Sequence, residues 1–165
     1  MYSQSSIEFN DTIAQMVKRG YGRVWINVDS NGISRSNYEL LVSRLYQMLD
    51  PIAEEMADAI NHDLEAYINE HKEELTRSYE SDIVRDTITL ELVNRIAESY
   101  QAETYDRLTR EMKSAISAWF DDSDFEFEYP FNKFNQCVID ASNDNMIIHV
   151  TVGYPCPRLS QLSFN

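Results

Sequence analysis

Histidine and carboxylate residues on one segment offer the first chemistry to consider. Asp58, His62 and Glu65 are spaced at i, i+4 and i+7, and His71 with Glu74 repeats the His-x-x-Glu spacing. Carboxylate and imidazole ligands together can bind a transition metal. Carboxylate-bridged sites in helical bundles, however, use a Glu three residues before each His, and neither His62 nor His71 has one. We therefore predict no metal site and no cofactor, and expect His71 to pack or cap a helix.

Nucleophilic catalysis has equally little support. Cys137 falls inside a strand pattern, where a free cysteine behaves as a small buried hydrophobe. Cys156 has only Arg158 nearby to favour a thiolate. There is no G-x-S-x-G turn, no Gly-rich phosphate loop and no zinc spacing. With 28 acids almost any carboxylate pair is available, so acid–base catalysis stays open but unsupported. We predict a protein that is not an enzyme and has no catalytic residue.

The net charge of −14 is the strongest signal in the sequence, and it is unevenly distributed. Residues 1–50 carry five acids and five bases, residues 51–100 thirteen acids and four bases, and residues 101–165 ten acids and five bases. Binding to nucleic acid or to an anionic membrane requires Lys and Arg, so both are disfavoured. A basic protein, such as one that binds nucleic acid, is the expected partner.

The stretch DDSDFEFEYP, residues 121–130, repeats acids at period two. In an extended chain Asp124, Glu126 and Glu128 lie on one side, while Phe125, Phe127 and Tyr129 lie on the other side and are predicted to face the core. Carboxylates at this pitch, roughly 6.6 Å, together with acids on a long helix, would form a line of charge. One DNA strand carries a phosphate about every 3.4 Å, so the line would resemble a duplex backbone.

Helical segments position most of the acids. Asn10 is predicted to cap a short helix that Gly20 ends, and a capping box at Ser36 and Glu39 begins a helix that ends near Leu49. Asp50-Pro51 then favours the start of a new amphipathic helix that continues to about Arg77. After a loop near residues 78–82, a further helical pattern reaches Trp119, as one helix or as two that bend near residues 101–103.

Strand patterns occupy the rest of the chain. Residues 22–32 alternate apolar and polar side chains, and residues 134–140 and 146–154 flank the turn ASNDN as a β-hairpin. We predict an α+β protein, with three to five helices on one face of a small antiparallel sheet that ends in this hairpin. Residues 1–165 are expected to form one cytoplasmic domain, without a signal peptide or an apolar run of the ~18 residues that span a bilayer.

The segment SDIVRDTITLELVNRIAESYQAETYDRL, residues 81–108, resembles the Asp-rich helical segment of phage-encoded DNA-mimic inhibitors, the class of Ocr-type antirestriction proteins and some anti-CRISPR proteins. The small, very acidic, Cys-poor composition resembles that class as well. The resemblance implies a function: a host nucleic-acid-binding defence enzyme is blocked because its basic groove is occupied, in the host cytoplasm. Because many small mimics are dimers, a homodimer is also open.

The leading hypothesis is therefore a non-enzymatic inhibitor whose acidic surface docks on a basic groove. The predicted contact residues are acids of the long helix and of the acidic stretch: Glu54, Glu55, Asp58, Asp63, Glu65, Glu70, Glu73, Glu74, Asp121, Asp122, Asp124, Glu126 and Glu128. One alternative is an adaptor or inhibitor that binds without mimicry through the N-terminal aromatics Tyr21, Trp25 and Tyr38. A metal protein that uses Asp58, His62 and Glu65 is the third hypothesis.

Overall fold

The computed structural model of the protein describes residues 8–78, 82–120, 125–130, 132–133 and 136–154. Its first helix, α1 (Asp11–Tyr21), begins as predicted at Asn10, whose side-chain oxygen accepts the N–H groups of Thr12 and Ile13 at 3.0 and 3.2 Å. The predicted end at Gly20 is wrong. The helix continues because Tyr21 is buried in the core, and it ends at Gly22.

Helix α2 (Arg35–Glu70) is continuous, so the prediction of two helices that meet at Asp50-Pro51 is wrong. Pro51 lies inside the helix, where it lacks an N–H and typically costs about 3 kcal/mol. The Asp50 carboxylate does not cap a helix but accepts the distant Val24 N–H at 2.9 Å. Buried side chains before and after the proline, Leu49 and Ile52, hold both halves of the helix against the core.

Both ends of α2 also differ from the predicted ends. Its N-cap is Ser34, whose hydroxyl accepts the Asn37 N–H at 3.2 Å, whereas Ser36 of the predicted capping box lies in the first turn. At the other end the helix stops at His71 and a separate α3 (Lys72–Ser78) follows. As expected for a packing or capping residue, the His71 ring stacks on Tyr67 with ring centroids 4.2 Å apart.

Helix α4 (Asp82–Phe120) runs without interruption, so of the two predicted forms the single helix is confirmed. It lies antiparallel to α2. Arg107 pairs with Glu55, and the Tyr100 hydroxyl donates to Asp63, so that rising residue numbers on α4 meet falling numbers on α2. Residues 79–81, within the predicted loop, lie outside the described residues.

Five strands form one antiparallel sheet: β1 (Trp25–Asn31), β2 (Glu126–Glu128), β3 (Asn132–Lys133), β4 (Gln136–Ser142) and β5 (Ile147–Gly153). The order is β1-β5-β4-β2, and β3 also pairs with β4. Val28, Val150 and Ile139 lie side by side on the buried face, which α2 and α4 cover. The α+β class, the β1 strand and the C-terminal hairpin are confirmed.

The acidic stretch follows its predicted alternation only in part. Phe125 is buried, Phe127 is half-buried, and Glu126 and Glu128 are exposed, as expected. Tyr129 was predicted to face the core, but 47% of it is exposed. The reason is that β2 ends at Glu128, so the alternation of a strand no longer applies to the residue before Pro130.

Among the described segments, no helix combines the length and the apolar character needed to cross a membrane.

We expect Gly32→Ala to lower the free energy of unfolding by about 1–3 kcal/mol, because a left-handed backbone strains an alanine. Gly32 has φ of +97°, and a Cβ there would clash with the Asn145 carbonyl oxygen in the β4–β5 turn. Denaturant unfolding measures the change. Ser36→Ala, at an exposed helical position, is the control and should change stability little. Equal stability of the two variants would contradict this reading of the turn.

Candidate functional site

The second half of α2 carries the densest group of acids in the described structure. No Lys or Arg occurs between Leu45 and His71, a span that includes six carboxylates from position 54 to position 70. We name these residues the α2 acidic face: Glu54, Glu55, Asp58, Asp63, Glu65 and Glu70. Asp63 is half-buried and the other five are exposed.

Projected on the helix axis, the spacing of this face approaches that of a nucleic-acid backbone. From Glu54 to Glu70 the helix rises about 24 Å, which gives roughly one carboxylate per 5 Å of axis. Around the axis, Glu54, Asp58 and Glu65 lie within about 40° of one another, whereas Asp63 and Glu70 lie more than about 100° away from them. One DNA strand carries a phosphate per about 3.4 Å. The residues are held in place because the opposite side of the helix is buried in the core by Met56, Ile60 and Leu64. The acids therefore project from a fixed support.

Two acids of the face are engaged within the protein. Glu55 pairs with Arg107, and Asp63 accepts the hydroxyl hydrogen of Tyr100, both across the α2–α4 contact. The remaining four, Glu54, Asp58, Glu65 and Glu70, form no ion pair with any residue that the structure describes. Their charge is therefore available to a partner.

The Asp63 carboxylate changes the acidity of its donor. The hydrogen bond to Asp63, with smaller effects of burial and of the negative charges of Asp63 and Glu103, raises the pKa of Tyr100 to about 12. Tyr100 therefore stays neutral and bonded to Asp63 across the whole physiological range. This contact fixes the lateral position of the acidic face relative to α4.

Besides Arg107, two lysines lie at the borders of the face. A cleft of about 330 Å³ between α1 and α2 is lined by Lys18, Gly22, Glu54, Ala57 and Asp58. Beyond the break at His71, the predicted contact residues Glu73 and Glu74 are exposed in the first turn of α3, beside Lys72, which pairs with Glu8 at 3.8 Å. The uncompensated charge is thus concentrated on α2.

The two described acids of the acidic stretch occupy a different surface. Glu126 and Glu128 lie on the edge strand β2, opposite Ser142 and Asp140 of β4 in the strand register. The side chains of both glutamates are exposed and point away from the helices. Asp121, Asp122 and Asp124, which were predicted to join them, lie outside the described residues.

The structure does not bring the two acidic groups together. α2 runs antiparallel to β1, and Asp50 of α2 lies beside Val24, just before β1 begins. Glu65 lies about 22 Å beyond Asp50 along the axis of α2, in the direction away from β1. Glu126 is aligned across the sheet with Asn31, the last residue of β1, through Ser142 and Ile147. Asn31 is about 20 Å along the strand from Trp25, the first residue of β1. Along the strand direction Glu65 is thus roughly 40 Å from Glu126, and Glu54, about 6 Å past Asp50, is still roughly 26 Å from it. A single continuous line of charge is not present.

The alternative sites are also separated or incomplete. Tyr21 is 1% exposed and donates to the Asn94 side-chain oxygen at 3.0 Å, so it belongs to the core and not to a docking surface. Trp25 is 48% exposed on the outer face of the sheet, and Tyr38 is half-buried on α2. The described residues contain no group of three or more His, Cys, Asp or Glu arranged to hold a metal ion, and this includes Asp58 and His62.

Cys137 is fully buried, as expected from its strand pattern, and burial raises its pKa to about 12 although a hydrogen bond with Thr109 acts in the opposite direction. A thiol in this state is a poor nucleophile. Cys156 lies outside the described residues.

The side chains that tie the acidic helix to its neighbours were not predicted from the sequence: Tyr46, Asp50, Tyr100 and Arg107. Tyr46 bonds the backbone of β1 and Asp50 that of Val24 just before it, while Tyr100 and Arg107 bond acids of α2. All four contacts join residues 20 or more positions apart, so no local pattern signals them.

The chain was compared with protein-family models, with curated proteins and with solved structures, and none of the three comparisons finds a match.

Replacing Tyr100 with Phe should remove a component near pH 12 from the tyrosinate titration followed by ultraviolet absorbance. Because the pKa is raised in the folded state, the stabilisation from this hydroxyl is complete below about pH 10. It is lost as the pH rises through about 12. The control, Tyr129→Phe, removes the hydroxyl of an exposed tyrosine and should leave the component near pH 12 in place. An unchanged component in Tyr100→Phe would disprove the Tyr100–Asp63 bond.

Proposed function

We propose that the protein is a non-enzymatic inhibitor that binds a basic, nucleic-acid-binding protein through the α2 acidic face and occupies the groove that nucleic acid would otherwise fill. The observation that carries this proposal is the group of four exposed carboxylates without an ion partner among the described residues, three of them aligned on one side of α2 (Glu54, Asp58 and Glu65), on a helix segment that has no Lys or Arg. The mechanism is competitive exclusion, and it requires neither turnover nor a cofactor.

Solubility alone does not account for this charge distribution. Surfaces that only need to stay dissolved mix both signs, since pairs at i,i+4 also support the helix. Glu54 and Asp58 are instead an acidic i,i+4 pair, which repels and destabilises the helix by a few tenths of a kcal/mol. The repulsion within this pair and with the four further acids is relieved when a basic surface neutralises them. Charge of this kind also accelerates association with a basic partner.

The class of partner follows from the acids together with the resemblance of residues 81–108 to phage-encoded DNA mimics. A groove built for phosphates offers Lys and Arg at the spacing that the α2 acidic face matches approximately. We therefore propose a host defence enzyme that binds nucleic acid, in the host cytoplasm, as the target.

A second candidate function rests on Trp25. Its side chain is 48% exposed, and large aromatic residues are enriched where protein partners dock. An adaptor or inhibitor that binds through Trp25 without mimicry would tolerate moderate salt and would lose its partner in the Trp25→Ala variant. Binding that survives Trp25→Ala excludes this function.

Charge reversal tests the proposal in a capture experiment with bacterial lysate. The triple variant Glu54→Lys, Asp58→Lys, Glu65→Lys should capture at least tenfold less of the partner protein. This decrease corresponds to a loss of about 1–2 kcal/mol of binding free energy, as expected for several charge contacts. Its control is Glu126→Lys, Glu128→Lys, Asp144→Lys, which changes the net charge equally at exposed sites remote from the α2 acidic face and should retain the protein.

The eluent then tests mimicry itself. Duplex DNA should release the captured protein, whereas polyglutamate at the same charge concentration and ionic strength should release much less. Equal release by duplex DNA and polyglutamate would show that the interaction is only a general attraction between opposite charges. Loss of the protein only in the control triple would place the docking surface on the sheet and would contradict the role of α2.

A further inference from the structure

The edge of the sheet at β1 is closed along one half only. Within the order β1-β5-β4-β2, β1 has a neighbouring strand on one side. On its other side the Ile26 N–H donates to the Tyr46 hydroxyl at 3.0 Å, and that hydroxyl donates back to the Ile26 carbonyl at 3.4 Å. The preceding Val24 N–H donates to Asp50. Side chains of α2 thus satisfy the first outward-facing groups of the edge.

The next outward-facing groups have no such closure. Backbone groups of a paired strand alternate between its two sides, so Val28 and Ser30 point the same way as Ile26, while Asn27 and Asp29 bond β5. In the part of the chain that the structure describes, Val28 and Ser30 have no hydrogen-bond partner on the outward side. Unpaired edge groups of this kind are a template for another strand.

We propose that this open edge, Val28 to Ser30, binds an extended segment of a partner protein by adding it as a further strand of the sheet. This inference concerns a surface other than the α2 acidic face, so it stands or falls separately from the proposed function. Its occupant is an extended polypeptide because two pairs of free N–H and C=O groups, spaced two residues apart, match only another strand.

The neighbouring side chains specify the chemistry of that segment. Asp29 lies between the two open residues, is exposed and points to the outer face, so a residue added opposite it would lie within about 5 Å and is best basic. On the inner face the added strand meets α2 one and two turns before Tyr46, where Val42 and Tyr38 are half-buried. The segment therefore alternates apolar and basic residues.

A second copy of this chain fits the edge poorly. To use both open residues, two antiparallel copies must pair Val28 with Ser30, and this register places Asp29 directly opposite its own copy. Each chain also carries a net charge of −14. Both repulsions disfavour a symmetric pair. A basic segment, by contrast, is attracted by Asp29 and by the net negative charge of the chain.

Amide hydrogen exchange, followed residue by residue, tests the proposal with a short capped peptide of alternating valine and lysine as the probe. The peptide should slow exchange at Val28 and Ser30 by about tenfold or more, but not at Ile26, which is already bonded to Tyr46. A peptide of alternating valine and glutamate should have little effect, and Asp29→Lys should reverse the preference.

The matched variant is Ser30→Pro, which deletes one outward N–H at an exposed edge position and leaves the bonds of Asp29 and Asn31 to β5 in place. It should abolish the slowing by the lysine peptide without changing the thermal midpoint. The same test can be made on the unaltered protein with a valine–lysine peptide that is N-methylated on its valines. This peptide lacks the N–H donors of a pairing strand and should not slow exchange. The proposal is overturned if the N-methylated and the unmethylated lysine peptides slow exchange equally. It is also overturned if Val28 and Ser30 are already protected from exchange in the free protein, whether that protection is constant or rises with protein concentration.

Discussion

α2 and α4 lie antiparallel, and the rest of the structure depends on the contact between them. Two polar contacts set its register: the ion pair of Arg107 with Glu55 and the hydrogen bond of Tyr100 to Asp63. Between the helices lie fully buried side chains such as Ile60, which supply most of the stabilisation because each is worth roughly 1.5–3 kcal/mol of apolar burial.

The sheet joins this helical pair along only part of its length. Tyr154, which follows β5, packs edge to face on Tyr21 with ring centroids 5.3 Å apart and donates its hydroxyl to the Met56 sulfur at 2.9 Å. Past this point α2 continues with one side buried against α1 and α4. Its other side faces solvent, and this is the side that carries the uncompensated acids. The same helix that closes the edge of β1 thus presents the charge proposed to bind a partner.

Local sequence patterns were sufficient for the features that depend on near neighbours. The Asn10 cap, the β1 alternation and the C-terminal hairpin follow from residues a few positions apart. The continuity of α2 could not be predicted, because the partner of Asp50 is Val24, 26 positions away, and because the burial that overrides Pro51 is tertiary. The grouping of the acids is tertiary too: which carboxylates share a surface depends on the register of α2 against the sheet.

The most direct test of the central claim is the salt dependence of binding, measured with one captured and purified partner against both this protein and duplex DNA. Contacts of a basic groove with phosphates weaken steeply with salt, by roughly 10³–10⁵ between low and moderate ionic strength for six to ten contacts. If the α2 acidic face occupies the same groove, the dissociation constant for this protein rises with salt as that for DNA does, but less steeply, because four free carboxylates take the place of six to ten phosphates. A dissociation constant that hardly changes with salt, while that for DNA rises, would contradict the account.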